Sequence, residues 1–325
     1  MSKAQIQQAD SAARLAGSGK FSLKKIFDDS AAIYFTICAL IVIATLLLVY
    51  INIGSQAYQT FTQWHISLGN LFTSNNWDAV NNFGLKANFS GTIMLVFLTV
   101  FISAPFSVGM AIFIAEISPN WLQAPMRGAV ELFLGIPSVI FGLLGLIVVV
   151  PFVRNVMNSL AGAYLYNGYG IIAAIIIVTF MVLPTITTIS IDTIRAVPRE
   201  IREGSLALGA TRWQTIRNAV LPAALPGIMT GVILGVTRAL GETVAVAFVI
   251  GGAEQFPFTV NSVAPYIHFS NGSDVLTTLL LFNFKEATNN TPLYSVLYTI
   301  SFMLLIISAI MIAISRYFAS RRVYQ

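Results

Sequence analysis

The sequence predicts an all-α polytopic membrane protein with six transmembrane helices, and three observations predict it. Hydrophobic residues make up 56% of the 325-residue chain and charged residues only 10%. Mean hydropathy is +0.79, well above that of a water-soluble domain. The apolar residues also fall in runs long enough to cross a bilayer, which takes about 20 residues for about 30 Å of hydrocarbon at about 1.5 Å per residue. Charged, Asn-rich or Pro/Gly-rich stretches separate the runs, and there a chain can turn in water.

Residues 1–29 are polar and rich in Ser, Ala and Gln. They are expected to form a cytoplasmic tail, mobile or in part helical on the surface. The first transmembrane helix occupies 30–53, with its apolar run from Ala31 to Ile53. Lys20, Lys24 and Lys25 precede it and "GSQA" at 54–57 loosely resembles a cleavage site. The run nevertheless exceeds the about 7–15 residues of a signal-peptide core, so the helix is expected to stay uncleaved. An external loop follows at 54–88. The next spans are expected at Phe89 to Ala115, Val130 to Val150, Gly170 to Ile191, Leu225 to Ile250 and Leu293 to Ile314. They belong to a core of 89–316 that contains an inside loop at 192–222 and an external loop at 251–292, before a cytoplasmic C-terminus at 317–325. Trp, Tyr and Phe in the two external loops suit interfacial anchoring and short ordered elements, or a docking surface for an external partner.

Cytoplasmic loops of membrane proteins collect Lys and Arg. With the N-terminus inside, Lys86, Arg154 and Lys285 fall outside and Arg238 falls within the membrane, while the other fourteen of the 18 basic residues are cytoplasmic. Both termini are therefore expected in the cytoplasm of a bacterial inner-membrane protein. The net charge of +5 is scattered over the inside segments and reads as topology, with lipid as the surrounding partner and no nucleic acid. Cys38 is the sole cysteine, so no intrachain disulfide forms. His65 and His268 have no companion at metal-ligand spacing, and neither a metal nor a cofactor is expected.

The inside loop reads "DTIRAVPREIREGSLALGATRWQTIRNAVLP". Pro198 can open a helix on which Ile201, Ser205 and Leu208 form a narrow stripe. Gly209 can stop it. Thr211 and Gln214 make a capping-box pattern for a second helix carrying Trp213, Ile216 and Val220 on one face, and Leu221-Pro222 is expected to break that helix. The product is helix, glycine corner, helix, a surface knob. Composition alone favours a basic amphipathic segment lying on lipid headgroups.

The order of residues in this loop resembles the EAA signature of permease subunits of ATP-binding-cassette importers: Glu203, Gly209-Ala210 and Leu221-Pro222 stand at the family's spacing, with Gly204-Ser205 in place of Ala-Ala. The stretches "ELFLGIPSVIFGLLGLIVVVPF" and "GVTRALGETVAVAFVIGG" further resemble PstC-type permeases of phosphate importers, over most of Phe89 to Arg316. The resemblance implies a type I importer (MetI-like) permease fold and a coupling helix that carries Glu203, Gly209 and Ala210 to an ATPase. It also implies the partners: a homologous PstA-like permease forming a heterodimer, a PstB-like ATPase dimer and an external PstS-like phosphate-binding protein. No G-x-x-x-x-G-K-[ST] motif occurs in the chain, so ATP hydrolysis is expected on a separate chain and this subunit is expected not to be an enzyme.

Arg238 and Glu242 stand four apart inside the fifth span. A lone charge there costs from about 3 to more than 10 kcal/mol, and on a continuous helix the two would pair across one turn. Gly227, Gly231, Gly235 and Ala239 form a small-residue ridge beside them, where another helix can approach. Two readings stand: a structural ion pair, or a substrate-path site in which Arg238 binds a tetrahedral oxyanion and Glu242 competes for the guanidinium. Phosphate is the substrate the resemblance implies, with sulfate or molybdate as alternatives. A proton-coupled secondary transporter using Glu242 is the rival class, and it leaves the EAA-like loop without a purpose. A membrane enzyme finds no nucleophile-base pair or metal cluster to support it.

Overall fold

The computed structural model describes residues 3–74, 77–78, 82–161, 167–252 and 274–320, as backbone alone up to residue 30. It divides into a unit of residues 1–55 and a unit of residues 56–325. Helix α1 (Lys3–Thr62) is continuous, so the segment expected as a tail is helical from Lys3 and the first span runs on past Ile53. The reason is compositional. The first proline of the chain is Pro105, and Ala, Gln, Lys and Leu all favour helix. Side chains along its apolar run, among them Ile33, Leu40 and Leu47, are exposed.

In the second unit, α2 (Leu68–Thr73), capped by Ser67, and a two-residue antiparallel pairing of β1 (Trp77–Asp78) with β2 (Asn82–Phe83) make the short ordered elements expected of the first external loop. Then come α3 (Lys86–Ile112), α4 (Asn120–Leu134), α5 (Ser138–Leu144), α6 (Val150–Ala161) and α7 (Ile171–Arg195). The knob is α8 (Arg199–Ala207) and α9 (Arg212–Thr215), and the chain ends with α10 (Leu221–Gly241), α11 (Val244–Ile250), α12 (Leu276–Asn283) and α13 (Pro292–Ser320). Among the described residues, six helices are long and apolar enough to cross a membrane.

Three wide π-type turns explain how these helices meet proline. They cover Phe113–Ile117, Gly145–Val149 and Ile216–Val220, and each ends two residues before a proline, Pro119, Pro151 or Pro222. Proline lacks an N–H and its ring clashes with the carbonyl four residues back. Widening the preceding turn relieves that clash. The consequence corrects one expectation: the helix is not broken at Leu221-Pro222 but passes from the knob into α10 without a gap.

The third span also differs from its expected bounds. The apolar run from Val130 is interrupted at Gly135–Pro137, where α4 ends, and the crossing helix is Ser138–Leu160. Pro137 sits in extended conformation at the N-cap of α5, and a residue preceding proline is itself pushed out of the helical region.

Helix α7 is the centre of the second unit. Of its most apolar window 61% is buried, against 33% or less for the other spans. It packs against α3 and α10, and the expected glycine ridge is the means. A Cβ on Gly227 would fall 2.3 Å from Thr193, and one on Gly235 2.8 Å from Ile186. One apolar cluster around Ile177, Val178 and Met181 fills the middle of the bundle. A second joins the hairpin to α12 and α13, and a third, with Ile191, Ile194 and Val220, underlies the knob.

Candidate functional site

Arg238 and Glu242 are not on one continuous helix. α10 stops at Gly241, Glu242 is extended (φ −72°, ψ 113°), and α11 restarts at Val244. The break places both charges well. Arg238 lies in the last turn of α10 and Glu242 just ahead of the first turn of α11, so each complements the partial charge of its helix end. The carbonyls freed by the break are served locally. Thr243 Oγ1 donates to Gly241 O, and Thr277 Oγ1 of α12 donates to Glu242 O at 3.2 Å.

The pair itself is loose. Arg238 Nε is 3.6 Å from Glu242 Oε1, with side chains 29% and 12% exposed. That is within Coulombic reach but too long for a hydrogen bond, and Nε, though buried, has no acceptor. Nη1 donates to Thr185 Oγ1 of α7 at 3.2 Å. Thr187, Thr188 and Thr193 on the same helix turn their hydroxyls back onto carbonyls four residues earlier. Thr185 instead accepts from the arginine. It was not foreseen, because nothing in a local pattern ties position 185 to 238.

At the knob the local signals succeeded. Pro198 is the N-cap of α8, Gly209 has φ +85°, and Thr211 with Gln214 forms the full capping box. A left-handed corner is open to glycine without strain, and a Cβ at Gly209 would meet nothing within 4 Å. Ile201 and Ile216 pack inward. Trp213 and Leu208 point out with Leu206, at 56%, 90% and 45% exposure. Each lies where the short helices turn away from the bundle. Glu203 is exposed between them and Ala210 is half-buried. The knob thus shows an apolar rim around its corner.

Sequence reading also missed Arg202. Its Nη2 lies 2.6 Å from Glu116 Oε1 at the end of the turn following α3, and its Nε donates to the same oxygen. The remaining donors go to the carbonyl of Ile194 in the last turn of α7, that of Val197 just beyond it, and that of Pro198 at the N-cap of α8. Arg127 of α4 reaches the same end of α7, 2.9 Å from Asp192. Its hydrogen bond to Glu131 is the first cause holding its pKa above the ordinary value. No cluster of three or more His, Cys, Asp or Glu side chains suited to a metal occurs among the described residues. His268 lies outside them.

A bundle of membrane-crossing helices with a buried Arg–Glu pair at a helix break and an exposed helical knob at one end is the build of a transport permease. Residues 107–324 match the family of binding-protein-dependent transport system inner membrane components, and the chain belongs to that family. It is a permease subunit of an ABC importer, a multi-pass inner-membrane protein.

A probable ABC transporter permease protein, YqgH of Bacillus subtilis, is 37% identical over 88% of this chain and 89% of its own. The phosphate transport system permease protein PstC of Mesorhizobium japonicum is 31% identical over 87% of each. The resemblance to PstC-type permeases therefore holds along most of the chain. Among solved structures, a bacterial ABC transporter involved in import of the polysaccharide alginate superposes with a TM-score of 0.57 at 17% identity, covering 93% of this chain and 99% of that one. The MetNI methionine ABC transporter, in an inward-facing conformation, gives 0.52 at 20% identity over 71% and 94%. At these identities the structural matches speak to the fold alone, the MetI-like permease fold.

Proposed function

We propose that this subunit forms the translocation path for inorganic phosphate, with Arg238 and Glu242 as its anion gate. The observation that carries the reading is the under-bonded guanidinium at the break between α10 and α11: a membrane-buried cation with a free Nε donor, held by one hydroxyl and a carboxylate at 3.6 Å. An incoming oxyanion can take the fork that Glu242 only loosely occupies. Return of Glu242 to the arginine helps release, since a conduction site must bind weakly enough to let go. Relatives named for phosphate transport favour phosphate over sulfate or molybdate.

The knob, with Glu203, Gly209 and Ala210 around a rim of Leu206, Leu208 and Trp213, serves as the coupling surface for a separate PstB-like ATPase dimer. A second, PstA-like permease supplies the other knob, and a PstS-like binding protein delivers the anion from outside. In this assembly the knob and both termini face the cytoplasm, a reading that the distribution of Lys and Arg supports.

The test is uptake of radiolabelled phosphate in a deletion strain complemented with Arg238→Gln, which keeps a polar side chain of similar reach without the charge. Uptake is expected to fall by about hundredfold or more, the scale of truncating one member of a buried charge pair, with normal protein level in the membrane. Sulfate or molybdate displacing the label as well as unlabelled phosphate does would move the substrate to another oxyanion. Undiminished uptake would remove Arg238 from the path.

A further inference from the structure

Resting on the reading of the knob as the ATPase-coupling surface, we propose that Arg202 is the rigid link that carries knob displacement into the path helices. Among the described residues the knob otherwise meets the bundle through apolar side chains, Ile201 against the cluster that holds Ile191, Ile194 and Val220, and apolar contacts can slide. Arg202 differs in kind. From α8 it holds two separate helices at once, Glu116 beyond the end of α3 and, at α7, the carbonyl of Ile194 in its last turn with that of Val197 just after it; a further bond returns to Pro198 at the N-cap of α8 itself. The side chain is 21% exposed and Glu116 13%, so water competes little for these bonds. A cation at the C-terminal end of α7 also meets its helix dipole favourably. From Ile194 it is nine residues along α7, about 14 Å at 1.5 Å per residue, to Thr185, which accepts from Arg238. Knob, Arg202, α7, Thr185 and Arg238 form one unbroken series of bonded or helical steps.

The planar guanidinium spreads five N–H donors over these acceptors. Lysine at 202 keeps the charge but has three donors on one nitrogen, so it cannot keep the bonds to Glu116, Ile194 and Val197 all together in the same geometry. Arg202 is a positioning residue, and its signature is a change in phosphate moved per ATP hydrolysed.

The experiment uses the full complex, both permeases with the ATPase dimer and binding protein, in proteoliposomes. ATP hydrolysis and phosphate uptake are measured on the same preparation. For Arg202→Lys the ATPase is expected to co-purify in wild-type ratio, with uptake per ATP reduced about tenfold. Glu116→Gln, which keeps the size of the partner and leaves the α7 bonds intact, is expected to lower the same ratio by about threefold. An unchanged ratio in either assembled variant would overturn the proposal. So would a loss of ATPase or of protein level with normal uptake per ATP in the complexes that remain, since that marks a docking or folding role. If the wild-type complex hydrolyses ATP without driving uptake, it is the importer reading of the site that fails, and Arg202 falls with it.

Discussion

Two arginine–glutamate pairs in this chain use the same chemistry to opposite ends. Arg202 meets Glu116 at 2.6 Å and spends its other donors on the carbonyls of Ile194 and Val197 at the α7 end and of Pro198 at the start of α8. Arg238 stands 3.6 Å from Glu242, with one hydroxyl partner and a buried Nε that bonds to nothing. A guanidinium has five N–H donors. Where they are all engaged, as at Arg202, moving any attached helix breaks bonds and the group behaves as a strut. Where they are left spare inside a membrane, the site is destabilised until an acceptor arrives. On the roles proposed for the two arginines, the difference separates a joint from a binding place, and the degree of hydrogen-bond satisfaction draws the line more clearly than charge or burial does.

The comparison breaks most directly at the looser pair. In the double substitution Arg238→Leu with Glu242→Leu, both charges leave together, and replacing a buried pair by apolar residues of similar volume is often neutral or stabilising by about 1–4 kcal/mol. Protein level and thermal midpoint are expected to hold, while phosphate uptake falls below detection. Membrane immunoblots beside radiolabelled uptake decide it: an assembled double mutant that still imports phosphate would make the pair mere packing.

How much of this was legible beforehand follows the range of the interactions. The six spans, Pro198, Gly209 and the Thr211–Gln214 box were readable because each is decided within a few residues. The glycine ridge of α10 was readable because helical period sets it, and α7 does lie against it. The break at Glu242 was not. A count of hydropathy passes over it, and its support comes from Thr277, 35 residues away. The stop at Gly135–Pro137 did carry a local signal, a glycine followed closely by proline, which a strongly apolar run masked. Arg202–Glu116 and Thr185–Arg238 lie 86 and 53 residues apart, and only folding makes them neighbours. The site was thus half visible, in its two charges, while its geometry was written by contacts between elements.

A smaller effect sharpens the role of the hydroxyl between the two regions. Thr185→Val keeps the shape of the side chain but removes the hydrogen-bond acceptor that Arg238 has among the described residues. A net hydrogen bond to a charged group is worth about 1.5–3 kcal/mol, but Arg238 is partly exposed and can recover some of it from water. A rise in KM for phosphate of about fivefold is expected, in keeping with roughly 1 kcal/mol. Thr185→Ser should restore it. Equal KM in Thr185→Val and wild type would show that Arg238 needs no second anchor.

The smallest effect is expected at Arg127, and it is the most useful control. Like Arg202, it reaches the C-terminal part of α7, with Asp192 at 2.9 Å and Glu131 at 2.7 Å. Unlike Arg202, it stands at the surface, 32% exposed, with partners 54% and 48% exposed. Exposed pairs contribute about 0–1 kcal/mol, because water and salt replace what the partner provides. Arg127 faces two carboxylates where Arg202 faces one, so it is the environment and not the number of charges that sets Arg202 apart. If rigid linkage depends on burial and on saturation of the donors, Arg127→Gln should leave uptake per ATP within about twofold of wild type and shift the thermal midpoint little. If it depends on charge at the α7 end alone, Arg127→Gln should uncouple as strongly as Arg202→Lys. Measured side by side in the same proteoliposomes, the two variants ask whether this membrane protein transmits motion through its hydrogen-bond geometry or merely through its electrostatics.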